Sequence, residues 1–120
     1  MPSTEHDVGA VSDFGEREPV RVLVDGRAMV FVRAGDRVLA ARDICPHQGA
    51  RLSDGVVCGT ALACAPGDEV RYGRDGEILV CPWHGWEYDL TTGHALADPG
   101  RVRIATYPAR VADGRVLIRM

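Results

Sequence analysis

The sequence predicts an all-β fold, a small antiparallel β-sandwich or barrel, from observations that hold along the whole chain. Turn signals are frequent enough to divide it into pieces of strand length. The runs between those turns are short, rich in Val, Ile and aromatic residues, and in places alternate apolar with polar positions. No run has the length and periodicity of an amphipathic helix. With 120 residues, 46% of them hydrophobic, we expect one domain around one core.

Strands are expected where an apolar run lies between two turns. In chain order the runs are Val20–Val24, Ala28–Arg33, Arg37–Arg42, Glu77–Cys81, Trp86–Asp89, Val102–Tyr107 and Arg115–Arg119. Val8–Val11 can add an edge strand before them, and residues 1–6 are polar enough to form a disordered tail. Gly35-Asp36 lies between the runs Val30–Val32 and Val38–Ala40, and Asp113-Gly114 lies between Arg110–Ala112 and Val116–Ile118, so a hairpin is expected at both places.

Charge and hydropathy argue against two classes of function. The 14 basic side chains, all arginine, and the 17 acidic ones are interspersed, with a formal net charge of −3, so no basic surface for a nucleic acid is expected. No stretch approaches the roughly 20 apolar residues that cross a bilayer, and Met1–Ala10 lacks the features of a secretion signal. We therefore expect a cytoplasmic protein that binds neither nucleic acid nor membrane.

Two short segments depart from the strand pattern and carry the candidate ligands. Residues 45–50 have the sequence CPHQGA and residues 81–86 have the sequence CPWHGW. In each, proline fixes the backbone and glycine permits a tight turn, so the segment can curl around an ion. Cys45, His47, Cys81 and His84 together offer two thiolates and two imidazoles. This ligand set suits zinc, or an iron–sulfur cluster in which two histidines replace two cysteines on one iron.

Three alternatives to an iron–sulfur site stay open at this point. Cysteine and histidine can be ordinary core residues, although two matched pairs make that interpretation weak. A disulfide between Cys45 and Cys81 is disfavoured in a reducing compartment and does not explain the neighbouring histidines. Zinc is the strongest rival, but Cys-x-His is tight spacing for two ligands of one tetrahedral ion.

The paired segments resemble the Rieske 2Fe-2S family; the resemblance runs over roughly residues 7–119 and implies a domain at 7–120. The matching features are Cys-x-His, then Cys-x-x-His, with proline after each cysteine and glycine after the second histidine. The resemblance implies that Cys45 and Cys81 bind one iron of a 2Fe-2S cluster and that His47 and His84 bind the other. It also implies a Rieske-like β-sandwich or barrel with a cluster-binding subdomain formed by the two loops. Asp98-Pro99-Gly100 matches the third, proline-bearing loop of the family.

The spacing of the two loops departs from the family pattern. Residues 48–80 separate His47 from Cys81, about twice the usual distance, which predicts an insertion at about 56–76. Loop insertions cost little stability. The insertion contains Cys58 and Cys64, which we interpret as ordinary apolar residues; the alternatives are a regulatory disulfide and a second metal site with an outside ligand.

The resemblance also suggests the type of electron carrier. High-potential Rieske proteins that oxidise quinols have an extra disulfide-bonded cysteine in each loop and a serine after the second His-Gly. The matching positions hold Ala50, Trp83 and Trp86. With fewer donors to the sulfurs, a potential near the low end of the Rieske range of about −150 to +300 mV is expected.

These features predict a one-electron carrier of the ferredoxin type found in ring-hydroxylating oxygenase systems. Its expected partners are an NAD(P)H-dependent flavin-containing reductase and a separate terminal oxygenase. After the four ligands only His6 and His94 remain, too few for the two-His, one-carboxylate iron site of an oxygenase, so no catalytic residue is assigned. Two other hypotheses are a Rieske small subunit of a larger, nitrite-reductase-like enzyme and a zinc-stabilised binding module without redox activity.

Overall fold

Ten short β-strands and two 3-10 turns make up a computed structural model that describes residues 4–45, 51–58, 77–82, 85–97 and 100–120. The strands are β1 (Glu5–Ala10), β2 (Val20–Val24), β3 (Arg27–Ala34), β4 (Arg37–Arg42), β5 (Val56–Cys58), β6 (Ile78–Val80), β7 (Glu87–Asp89), β8 (Thr106–Tyr107), β9 (Ala109–Ala112) and β10 (Arg115–Arg119). The 3-10 turns are Val11–Asp13 and Leu52–Asp54.

The strands form three antiparallel sheets. Their strand orders are β1-β10-β9, β2-β3-β4-β8 and β5-β6-β7. All pairs of these strands are antiparallel, which confirms the predicted all-β, antiparallel class. In the described part of the chain, no helix is long and apolar enough to span a membrane.

The conformations of two hairpin turns are explained by their Asp-Gly dipeptides. At the β2–β3 turn Asp25 has φ 51° and Gly26 has φ 80°, and at the β9–β10 turn Asp113 has φ 52° and Gly114 has φ 73°. Positive φ at both central residues is the type I′ pattern, whose twist matches that of the flanking strands. The hairpins predicted at Gly35-Asp36 and Asp113-Gly114 are both present.

Strand β3 divides the interior into two cores because its side chains alternate between the faces of the sheet. Val30 and Val32 enter one core, and Met29 and Phe31 enter the other; all four are fully buried. We call the first the cysteine core; it comprises Val30, Val32, Ala41, Cys45, Leu52, Leu79, Cys81, Tyr88, Leu90, Ala95 and Ile104. We call the second the phenylalanine core; it comprises Phe14, Val24, Met29, Phe31, Val38, Ala40, Val116 and Ile118.

At three places the strands differ from the sequence prediction by more than one residue. Strand β1 begins at Glu5, inside the expected tail of residues 1–6, because Glu5 and His6 pair with β10. The run Val102–Tyr107 yields only the two-residue β8, since its partner β4 pairs with it at two positions. The first residues of the expected insertion at 56–76 form β5, which pairs with β6.

A candidate metal centre between two loops

The structure brings Cys45 and Cys81 into one core from two different sheets. Cys45 lies three residues after the end of β4, and Cys81 directly follows β6. Their exposed fractions are 1% and 2%, and both side chains belong to the cysteine core. Both are thiols rather than halves of a disulfide. The other two predicted ligands, His47 and His84, lie outside the described residues.

Backbone hydrogen bonds close the second loop around its glycine. The Cys81 N–H donates to the Trp86 carbonyl at 2.7 Å, and the Gly85 N–H donates to the Cys81 carbonyl at 3.1 Å. Gly85 has φ 70°, in the left-handed region that glycine adopts without strain. The loop is therefore the closed end of the β6–β7 hairpin, and the sheet register fixes the backbone of Cys81.

Tyr88, on β7, reaches across the cysteine core to the first loop. Its hydroxyl oxygen lies 3.4 Å from the Cys45 sulfur, and its side chain is fully buried. Burial, with the hydrogen bond to Cys45 second, raises the pKa of Tyr88 well above its usual value. The hydroxyl therefore stays protonated at physiological pH, and it is the donor whenever Cys45 is a thiolate.

Cys45 and Cys81 fit the iron of a Rieske cluster that is bound by two cysteines. Two cysteine sulfurs from separate loops are shielded in an apolar core, and one has a hydroxyl donor at hydrogen-bonding distance. Thiolates are the protein ligands of iron–sulfur clusters, and donors to sulfur are one of the factors that set their potential. Among the described residues, no group of three or more His, Cys, Asp or Glu side chains is arranged to hold another metal ion.

The remaining singled-out residues fall outside this site or outside the described residues. Trp86 is partly buried and packs against the cysteine core. His6 lies in β1, and the His94 N–H donates to the Thr92 hydroxyl at 3.2 Å. The Cys58 backbone ends β5. Ala50, Cys64, Trp83, Asp98 and Pro99 lie outside the described residues.

Sequence reasoning missed two residues that contact the first loop. It counted no hydroxyl donor to the sulfurs, whereas the structure supplies one at Tyr88. The signal was available, because a tyrosine on a buried strand position requires a partner for its hydroxyl. Asp43 was also missed; it is 5% exposed and only two residues before Cys45. A buried carboxylate implies several nearby donors.

Comparison with known proteins agrees with this geometry. The family model described as the Rieske 2Fe-2S domain matches residues 4–108, so the chain belongs to the Rieske 2Fe-2S family. Membership implies one Rieske-type 2Fe-2S cluster as its cofactor. At the level of individual proteins, the chain is 30% identical over 115 residues to the anthranilate 1,2-dioxygenase ferredoxin subunit of Burkholderia cepacia. That alignment covers 96% of this chain and 91% of the relative.

Two solved structures share the fold over nearly their whole length. The ferredoxin of carbazole 1,9a-dioxygenase from Nocardioides aromaticivorans IC177 superposes with a TM-score of 0.74 at 26% identity, covering 96% of each chain. A chain from Mycobacterium tuberculosis, described as the small subunit of an NADH-dependent nitrite reductase, gives a TM-score of 0.77 at 28% identity. That superposition covers 98% of this chain and 96% of the Mycobacterium tuberculosis chain.

Proposed function

We propose that this protein is a ferredoxin that carries single electrons from an NAD(P)H-dependent, flavin-containing reductase to a separate terminal oxygenase. The observation that carries the proposal is the meeting of Cys45 and Cys81, buried in one core from two loops, with Tyr88 beside Cys45. The relative from Burkholderia cepacia, which is named as a dioxygenase ferredoxin subunit and of which 91% is covered, supports the oxygenase as the acceptor.

The proposed ligands are Cys45 and Cys81 on one iron and His47 and His84 on the other. When bound, a cluster of this type gains and loses one electron at a time. The chain contributes an apolar shell that keeps water from the two cysteine sulfurs, and a protonated tyrosine hydroxyl directed at one of them. The domain is proposed to span residues 7–120, with an insertion within about 56–76.

Metal and sulfide analysis of anaerobically purified protein tests the cofactor. We expect a coloured protein with two irons and two acid-labile sulfides per chain, and a rhombic EPR signal after reduction with dithionite. A colourless protein that contains zinc and no sulfide would refute the ferredoxin proposal and support the zinc-stabilised binding module.

Alanine variants test the proposed ligand set. Cys45→Ala, Cys81→Ala and His84→Ala should each lose the EPR signal and the sulfide, because each removes one of four ligands. Cys58→Ala and Cys64→Ala are the matched controls, since they remove a thiol outside the proposed set. Loss of the cluster from Cys58→Ala would show that the ligand assignment is wrong.

A small subunit of a larger nitrite-reductase-like enzyme is the second candidate. The superposition on the chain from Mycobacterium tuberculosis, with a TM-score of 0.77, favours it. The two functions differ in how the partner is held. A ferredoxin should be reoxidised rapidly by an oxidised Rieske-type oxygenase and should dissociate from it after each electron transfer. Purification from its native cells at constant stoichiometry with one large reductase chain supports the subunit.

A further inference from the structure

A buried carboxylate ties together the two ends of the first cysteine loop. Asp43 lies between the end of β4 and Cys45, and its side chain is fully shielded from solvent. One carboxylate oxygen accepts the Ser53 N–H at 2.7 Å. The other accepts the Ser53 hydroxyl at 2.6 Å and a guanidinium N–H of Arg21 at 2.8 Å. We call these three residues the loop clamp.

The strands of the second sheet hold the near end of the clamp. The Asp43 N–H donates to the Ala28 carbonyl at 3.0 Å, which extends the β3–β4 pairing by one residue. Arg21 on β2 lies opposite Val30, which in turn lies opposite Ala41 on β4. Asp43 follows Ala41 by two residues and so projects toward the same face as Arg21. Asp43 is therefore anchored to β2 through its carboxylate and to β3 through its backbone N–H, and it directly follows β4.

The far end of the clamp belongs to the turn that follows the loop. Ser53 is the middle residue of the 3-10 turn Leu52–Asp54, and Leu52 is fully buried in the cysteine core beside Cys45. The clamp therefore fixes the backbone both before and after residues 44–52. Fixing both ends of a loop beforehand reduces the conformational entropy that the loop loses when it binds a ligand.

The bonds of Asp43 suit positioning more than general stability. A buried ion pair is often no more stabilising than well-packed apolar residues, but its hydrogen bonds specify one geometry. Asp89 provides a contrast, since it accepts the N–H and the hydroxyl of Thr91 at 2.9 and 2.6 Å. Those bonds close a turn of two residues. Asp43 accepts the N–H and the hydroxyl of Ser53, ten residues further along the chain, and Cys45 and His47 lie between these two residues in the sequence.

From this geometry we infer that Asp43 is a positioning residue for the cluster, acting through Cys45 and held in place by Arg21 and Ser53. The inference rests on the proposed function, because it takes Cys45 and His47 as ligands. Loosening the clamp leaves both ligands in the chain but lets the first loop adopt other conformations. The loop should then release the cluster faster and hold it in a less uniform environment.

The test compares Asp43→Asn with Val116→Ala in the cluster-loaded protein. Asp43→Asn removes the charge that pairs with Arg21, whereas Val116→Ala lowers stability from within the phenylalanine core, away from the loop. With a chelator present, the visible absorbance of the cluster should decay about 10-fold faster in Asp43→Asn than in the wild type. This is the lower end of the effect usually seen when a residue that supports a metal ligand is replaced. Its EPR signal should broaden, and the amides of residues 51–55 should exchange faster. Val116→Ala should match the wild type in all three measurements once folded.

A second pair of variants keeps the inference testable if Asp43→Asn does not fold. Ser53→Ala removes the hydroxyl donor and leaves the backbone N–H and the Arg21 pair in place, so it should also lose the cluster faster. Ser53→Thr restores the hydroxyl and should restore the wild-type rate. Wild-type rates in Ser53→Ala, or equal acceleration in Ser53→Ala and Val116→Ala, would overturn the inference. Wild-type protein without iron and sulfide would instead refute the proposed function on which it rests.

Discussion

At the scale of single residues, Tyr88 shows how one side chain can serve both the core and the site. Its ring fills the cysteine core, and its hydroxyl meets the Cys45 sulfur at 3.4 Å. A donor to a ligand sulfur stabilises the more negative, reduced state of an iron–sulfur cluster more than the oxidised state. Tyr88 should therefore raise the potential above the value expected from the residues in the two loops alone.

Replacing Tyr88 with phenylalanine should lower the reduction potential of the cluster-loaded protein. The expected shift is up to about 60 mV, which for one electron corresponds to a tenfold difference in stabilisation between the two oxidation states. Protein-film voltammetry measures it, and Tyr107→Phe is the control because Tyr107 packs against the phenylalanine core. An unchanged or higher potential in Tyr88→Phe would show that the hydroxyl does not donate to the cluster.

The sequence identified residues of this site unevenly. Cys45 and Cys81 stood out because each begins a segment with proline and glycine at ligand-like spacing. Tyr88 and Asp43 act through contacts with residues that are distant in the chain, Cys45 and Ser53 respectively. Such contacts depend on how separate strands and turns pack against one another, and local spacing does not reveal them.

At the scale of strands and turns, the hairpins were predictable because their specificity is local. The Asp-Gly dipeptides at β2–β3 and β9–β10 adopt the positive φ angles that a two-residue hairpin requires. Strands β5 and β8 were harder to place, with three and two residues respectively. β8 pairs with the six-residue β4 at only two positions and β5 pairs with β6 at three, so neither strand's length follows from its own composition.

Ion pairs on the first sheet give stability a predictable pH dependence. Arg110 donates two N–H groups to the Glu5 carboxylate, each at 2.8 Å, and these bonds lower the pKa of Glu5. A carboxylate whose pKa is lowered in the folded state stabilises the fold at neutral pH. That contribution is lost as the pH falls through the acidic range below about 4.

The difference in melting temperature between the wild type and Glu5→Gln isolates this effect. It should be small and positive near pH 7, shrink as the pH falls toward 3, and shrink in high salt because the pair is at the surface. Asp36→Asn, which removes an acidic group from the exposed β3–β4 turn, is the control and should show a smaller difference at pH 7. A difference that grows on acidification would contradict the assignment.

At the scale of the whole molecule, the division into two cores separates the two proposed cysteine ligands from much of the rest of the fold. Cys45 and Cys81 lie in the cysteine core. The phenylalanine core is built around Phe14 and Phe31, whose rings pack edge to face with their centroids 5.6 Å apart. The sequence predicted one core for a chain of this length. Two cores arise because both faces of β3 are buried. The apolar run Met29–Val32 is compatible with a strand buried on both faces, but a run of that length does not establish it.

Removing the cluster should therefore loosen one part of the protein more than the other. In hydrogen exchange of cluster-free protein, amides of β6 and β7 should lose protection, because the Cys45 and Cys81 sulfurs in the adjoining core no longer bind a shared iron. Amides of β9 and β10 should keep theirs, since those strands pack on the phenylalanine core. Equal loss of protection in both regions would show that the two cores unfold as one cooperative unit.

The pairing of Cys58 with Ile78 has a consequence for protein engineering. These two residues lie directly opposite each other at one end of the β5–β6 ladder, so the chain leaves the sheet and returns to it at adjacent positions. A change in the length of chain between them should therefore leave the register of β5 with β6 unchanged, at an entropic cost that grows only logarithmically with length. A peptide tag or a fluorescent reporter grafted between residues 58 and 78 should therefore leave the pairing of β5 with β6 intact.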